Sequence, residues 1–394
     1  MRVVICGGPY TDNIGDALIH ECLKATLARV LPEAELESLD IGGRRAAGDV
    51  PVRSKGLALR MIKGLPAPLR RSALFAPLLS TIRRRVLPVW KELLRPRDVL
   101  VIGGGQLLQD PDLNFPLKLV HLARLSDRLE GRRSIYAVGV GREWSWLGTR
   151  CFRELIATDS LCYLSVRDER SRESLLRHLP ELGEDDVRID LDPALLVDEV
   201  YRPEGGTQAK DIDVGVCPAS PDILGLGAHA LSSDEVLRRW VGLVQGLSAK
   251  GRTVGLFTNG SAEDEEFLAR LAARCEHFDR VMVLPRALRG AQYVENLARM
   301  KSVVAHRLHA AIACYALNIP SFGLEWDEKL VAFFDLTGRP ECTANFASVD
   351  LSELVETVAG LAETTIEAGR RRDVIDAARE GVTRLGQSLI GREH

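Results

Sequence analysis

Two doubly wound α/β domains in tandem are what this sequence predicts. Three observations carry the prediction: the chain's length, its alternation of short apolar runs with longer amphipathic stretches, and the glycines that close several of those runs. At 394 residues the chain exceeds what one hydrophobic core fills. Strand-length runs occur at Arg2 to Cys6, Glu35 to Asp40, Asp98 to Ile102, Ser134 to Val138 and Leu161 to Val166. A second series follows at Ile212 to Cys217, Thr253 to Phe257, Arg280 to Leu284, Ser302 to Ala305 and Ile319 to Phe322. Their apolar character on both faces, with helical stretches between them, is what a buried parallel sheet requires. The segment Glu199 to Lys210, with Pro203 and Gly205-Gly206, separates the two series and reads as a linker. We therefore expect a first domain over 1–198 with a basic insertion at about 42–97, a linker over 199–210, a second domain over 211–349 and a helical tail over 350–394.

Composition narrows the class. A hydrophobic share of 46% and a charged share of 27% fit a soluble globular protein and argue against disorder. The chain passes from Met1-Arg2-Val3-Val4-Ile5-Cys6 straight into a glycine loop, which does not read as a secretory signal. No uncharged apolar stretch approaches the roughly 18 residues of a membrane span, so a cytoplasmic location is expected. The eight cysteines are scattered without a Cys-x-x-Cys pair, and we expect reduced core thiols with neither disulfides nor a metal site.

Between Gly42 and Arg97 the chain carries 14 Lys or Arg against Asp49 and Glu92, a local charge of +12. The chain's net charge is −3, so the remainder carries −15. Pro51, Pro66, Pro68, Pro77 and Pro88 punctuate this insertion and are expected to interrupt any long helix.

The strand ends hold the candidate chemistry. After the first strand comes Gly7-Gly8-Pro9-Tyr10-Thr11-Asp12-Asn13-Ile14-Gly15-Asp16, which reads equally as a turn and as an anion-binding loop. It has neither the dinucleotide spacing nor a Gly-Lys-Ser/Thr ending. Gly103-Gly104-Gly105-Gln106-Leu107-Leu108-Gln109-Asp110 closes the third strand, and three successive glycines imply a steric demand there. Beyond Val138, Trp144 and Trp146 can stack on a sugar face or pack in a core. Arg167-Asp168 opens a helix, where the guanidinium can clamp a carboxylate or phosphate, or the two residues can simply pair. Asp190, Asp192, Glu325, Asp327 and Glu328 add carboxylates at further strand ends.

The most informative junction is Val303-Val304-Ala305-His306-Arg307-Leu308-His309-Ala310-Ala311, where an apolar strand meets an Ala-rich helix. Unpaired N–H groups and the peptide dipoles of a helix start favour a bound anion, and Arg and His add to that. Histidine can also carry a proton near neutral pH.

Taken in order, Asn13-Ile14-Gly15-Asp16, Gly103 to Asp110, Ser165-Val166-Arg167-Asp168, Asp192-Pro193-Ala194, Arg307-Leu308-His309 and Asp327-Glu328-Lys329 resemble the polysaccharide pyruvyl transferase family, over roughly residues 3 to 340. The resemblance implies two Rossmann-like doubly wound domains of the glycosyltransferase B type facing a cleft. It implies transfer of the enolpyruvyl unit of phosphoenolpyruvate onto two hydroxyls of a sugar, as a ketal, with release of phosphate. No metal or nucleotide cofactor is implied. By the same resemblance His309 is the general acid, Arg307 holds the donor's phosphate or carboxylate, and Arg167 is a second clamp across the cleft. Asn13, Asp16, Gly104, Gly105, Gln106, Glu325 and Lys329 follow as substrate-binding positions. His306, outside the Arg-Leu-His core, joins these substrate-binding positions in a supporting role or serves structurally. Where relatives often carry a basic residue after the first strand of the second domain, this chain has Cys217-Pro218-Ala219-Ser220.

Two other readings remain open: a nucleotide-sugar-dependent glycosyltransferase of the same architecture, and a noncatalytic scaffold in a polysaccharide assembly complex. The family's acceptors are often lipid-linked, and the +12 insertion suits peripheral contact with anionic lipid at the inner face of the cell membrane. No nucleic-acid motif accompanies that charge.

Overall fold

The computed structural model describes residues 1–48, 67–201, 209–221, 231–325 and 328–391. Residues 49–66 of the basic insertion, most of the expected linker, and Trp326 and Asp327 lie outside the described residues.

Two parallel six-stranded sheets organise the described chain. The first contains β1 (Arg2–Gly7), β2 (Glu35–Asp40), β3 (Val99–Gly103), β4 (Arg132–Val138), β5 (Leu161–Val166) and β6 (Arg188–Ile189), in the order β2-β1-β3-β4-β5-β6. The second contains β7 (Ile212–Cys217), β8 (Val254–Leu256), β9 (Val281–Val283), β10 (Met300–Ala305), β11 (Ser321–Glu325) and β12 (Thr343–Asn345), in the order β12-β11-β10-β7-β8-β9. Helices cover both faces, which is why central strands such as β1, with Val3, Val4, Ile5 and Cys6 fully buried, show no polar alternation. Val4, Leu100, Ile102, Ile135 and Phe152 belong to the first core, and Val214, Trp240, Leu243, Val304 and Phe322 to the second.

The chain divides into two compact units. One comprises residues 1–11, 16–193 and the chain from Ala377 onward; the other comprises 12–15 and 194–376. The division differs from the sequence-based one in three places. It falls at Pro193, ahead of the Glu199 to Lys210 segment. Four residues near the N-terminus go with the second unit, and the tail is shared out rather than standing as its own element. Asp190 explains the last point: fully buried in the first unit, it accepts hydrogen bonds from Tyr163 Oη (2.7 Å) and Arg384 Nη2 (2.8 Å), which fastens the end of the helix Ala368–Ile390.

The basic insertion is more helical than its prolines suggest. A helix over Ala67–Thr81 runs through a π-turn at Ile82–Val86 into a helix over Leu87–Leu93. Pro88 sits in the first turn of the last piece, directly after the π-turn, where the regular hydrogen-bond ladder is already interrupted. Buried Trp90 donates from Nε1 to the Asp40 carbonyl, tying the insertion to the end of β2.

Each sheet has one place where chain order reverses. In the first it lies between β1 and β3, and in the second between β7 and β10. Crevices outside the carboxyl ends of strands at such switch points are where open α/β sheets take their ligands.

Candidate functional site

At the second unit's switch point the chain leaves β10 and turns into the helix Leu308–Ala316, with Arg307 at its N-cap. His306 N donates to Cys217 O at 3.1 Å, so the ends of β7 and β10 stay zipped to the last residue. The His306 ring is turned into the core, fully buried, edge-on to Trp240 at 4.8 Å and to Phe346 at 4.7 Å. Burial, helped by the adjacent Arg307 charge, lowers its pKa to about 3, so it is neutral at physiological pH. This side chain, expected among the substrate-binding residues, is a core ring.

Arg307 points the other way. Its Nε and Nη2 both donate to Asp264 Oδ2, at 2.9 and 2.5 Å. Asp264 is fully buried, and its Oδ1 accepts from Ser220 N at 2.7 Å. The Cys217-Pro218-Ala219-Ser220 loop thus helps hold the carboxylate that orients Arg307. Asp264 went unseen in the sequence, where it reads as one of three acids in the first turn of the helix Ala262–Cys275.

His309 lies one residue into its helix, half-buried. Its ring packs on the backbone of Gly15, so closely that a methyl group there would overlap it. Asn13 turns inward to its own segment: its Oδ1 accepts from Gly15 N at 3.2 Å. Ile14 N donates to Asn259 O at 2.8 Å, and Gly260, at φ +86°, lies so near the Asp12 carbonyl that a side chain would meet it at 2.8 Å. Residues 12–15 are thereby pinned beneath His309. Glu325 ends β11 half-buried, and Lys329 sits half-buried at the start of the helix Glu328–Leu336.

The first unit's switch point holds a cavity of about 350 Å³. Asp16, Gly104, Gly105 and Gln106 line it, together with Arg44 and Lys118. The glycine run meets a real steric demand: Gly104 and Gly105 stand at φ +68° and +71°, and a Cβ at Gly104 would overlap Ile19. Lys118, in the middle of the helix Asn114–Arg128, carried no signal in the sequence. Burial pushes its ammonium below the ordinary value, with the nearby Asp40 carboxylate opposing the shift. Arg44 reaches the same carboxylate at 3.4 Å.

Gln106 links this cavity to Arg167, whose Nη2 donates to its Oε1 at 3.0 Å. Arg167 Nε donates to Asp168 Oδ2 at 3.0 Å, and the side chain is almost buried. Asp168 also caps the helix Glu169–His178, accepting from Ser171 N at 2.7 Å. Burial alone would raise its pKa, but the Arg167 charge and the Ser171 hydrogen bonds more than offset this and hold it low. Of the two tryptophans, Trp144 stacks on His178 at 4.3 Å and donates to Leu108 O, so it is no sugar platform. Trp146 is 76% exposed.

A family profile for polysaccharide pyruvyl transferase matches residues 13–328, most of the chain. A search of curated proteins found no match. Among solved structures, UDP-GlcNAc 2-epimerase from Methanocaldococcus jannaschii is similar with a TM-score of 0.55 at 9% identity, over 98% of each chain. UDP-GlcNAc 2-epimerase from Neisseria meningitidis, bound to UDP-GlcNAc, has a TM-score of 0.50 at 10% identity, over 98% of this chain and 97% of that one. α,α-Trehalose 6-phosphate synthase from Burkholderia multivorans has a TM-score of 0.51 at 12% identity, over 100% and 96%. At such identities the likeness is one of fold, two Rossmann-like domains of the glycosyltransferase B type.

Proposed function

The chain belongs to the polysaccharide pyruvyl transferase family, and from that premise we propose that it moves the enolpyruvyl group of phosphoenolpyruvate onto two hydroxyls of a sugar in a surface polysaccharide or its lipid-linked precursor. The observation that supports this reading best is the Arg307-His309 junction: a guanidinium braced by a buried carboxylate and an imidazole fixed on Gly15, both at a helix start on a switch point.

In the proposed reaction His309, as imidazolium, gives a proton to the donor's methylene carbon, which becomes a methyl group. The central carbon turns electrophilic, and a first sugar hydroxyl adds to it and returns its proton to the now neutral His309 imidazole. The second hydroxyl then attacks as the bond to phosphate breaks, its proton leaving with the phosphate. Two C–O bonds form, one C–O bond breaks, and nothing is oxidised. Asp264 engages Nε and Nη2 of Arg307, so Nη1 is the edge turned to the donor's anionic groups. The donor is a substrate, and the scheme calls on no cofactor. In the first unit Asp16 and Gln106 are suited to sugar hydroxyls, with Arg167 steadying Gln106 rather than acting as an open clamp.

A thermal-shift panel tests donor choice. Phosphoenolpyruvate should raise the melting temperature and UDP-GlcNAc should not. The reverse pattern would replace this reading with nucleotide-sugar transfer.

A further inference from the structure

Two exposed apolar side chains of the first unit flank one loop. Asp110 Oδ2 accepts from Ser145 N at 2.7 Å and from Ser145 Oγ at 2.5 Å, while its carbonyl accepts from Arg71 Nη2 at 3.5 Å. Arg70 Nε reaches Asp112 at 2.6 Å. The start of the insertion helix and the start of the helix Trp146–Ile156 therefore meet over residues 110–112. Next to these anchors stand Leu69, 59% exposed, and Trp146, 76% exposed. The Arg150 guanidinium lies over the Trp146 ring at 5.8 Å. Further along the insertion, Ile82 packs with Leu113, Leu117 and Cys151, with Leu147, the neighbour of Trp146, against the same cluster, which carries the π-turn on the same helical layer and leaves Arg83, Arg84 and Arg85 exposed.

An indole held out in water under the Arg150 guanidinium, with an exposed leucine at the same loop, suits a surface that offers both apolar chains and anions. Tryptophan favours the interfacial layer of a bilayer, where its ring meets apolar chains and its N–H stays wet. Arginine is drawn to lipid phosphates. A polynucleotide would use the charge but would want several stacking rings, and Leu69 offers it nothing.

We propose that the first unit docks on anionic membrane surfaces, with Leu69 and Trp146 entering the interfacial layer and Arg83, Arg84, Arg85 and Arg150 meeting lipid phosphates. The same insertion gives Leu78, Thr81 and Val86 to the wall of the 350 Å³ cavity. A lipid-linked acceptor would then reach that cavity from the membrane. This last step rests on the transferase reading; the docking does not.

The test is sedimentation of the full chain with phosphatidylcholine vesicles, with and without phosphatidylglycerol, at low salt. Wild type should pellet only with anionic vesicles, and its tryptophan emission should shift to the blue. Replacing three charges in Arg83→Gln/Arg84→Gln/Arg85→Gln should weaken partitioning about 10²-fold. Trp146→Ala with Leu69→Ala should weaken it about tenfold and abolish the emission shift. Equal pelleting of all three proteins, pelleting with neutral vesicles, or displacement from vesicles by a single-stranded oligonucleotide with Trp146→Ala behaving as wild type would overturn the proposal. Wild type that docks but releases no phosphate from phosphoenolpyruvate with any of a panel of lipid-linked and nucleotide-linked sugars would leave docking standing and remove the transferase reading.

Discussion

Gly15 is the residue on which the placement of His309 depends most directly. A Cβ there would overlap the imidazole, so Gly15→Ala must push the ring aside even though alanine suits a helix start better than glycine. We expect kcat to fall about 10²-fold with little change in stability, because misplacing a reacting group by about 1 Å costs that much. An unchanged kcat would separate His309's position from the chemistry. Asp264 acts on Arg307 in a different way. Asp264→Ala would leave a mostly buried guanidinium without its counter-charge, at a cost of about 3–5 kcal/mol in a urea melt. Arg307 and His309 were legible because they are contiguous in sequence. Asp264 was not, because its partner is 43 residues away and its helix start is acidic anyway. The core position of His306, one of the two roles the sequence left open to it, could not be singled out for the matching reason: the rings that enclose it, Trp240 and Phe346, come from distant segments.

Among the elements, strands were the easiest to read, since the central ones carry unbroken buried apolar runs such as Val3–Cys6, Val99–Ile102, Ile135–Val138 and Val303–Ala305. β6 and β12, at two and three residues, are too short to leave a pattern. The triple glycine announced a steric demand that Ile19 turns out to impose, whereas Lys118 hid within an ordinary amphipathic helix. The C-terminal helix was predicted, but its fastening was not. Tyr163, Arg384 and Asp190 converge there, and Gly381 leaves room for Asp190 Oδ1 and Tyr136 Oη, each 2.9 Å from where a Cβ would stand. Tyr163→Phe removes one bond from a buried carboxylate and should lower stability by about 1–3 kcal/mol. A urea midpoint equal to wild type would show that the fastening carries no weight.

For the molecule as a whole, two buried histidines set a common response to acid. Burial, seconded by Lys24 and Arg307 respectively, lowers His20 and His306 to about 3, against about 6.5 in an unfolded chain. Both stay neutral in the folded state while the unfolded chain binds protons. Stability should therefore be full above about pH 6.5 and fall as pH drops toward 3, by at most about 1.4 kcal/mol per pH unit for each ring. His306→Phe should flatten that slope in urea titrations run across the window, and an unaltered slope would contradict the assignment. The two-domain architecture was readable from length and alternation, and the order of the strand-end motifs led to the family. Where the chain divides was less readable, because residues 12–15 and the shared C-terminal helix follow packing rather than sequence order. The central claim, transfer from phosphoenolpyruvate by the Arg307-His309 junction, is tested most directly by phosphorus NMR of the full chain with phosphoenolpyruvate and a panel of lipid-linked and nucleotide-linked sugars. Wild type should release inorganic phosphate in step with a pyruvylated sugar seen by mass spectrometry, and folded His309→Gln should lose nearly all of it; phosphate release at the wild-type rate in His309→Gln would contradict the account.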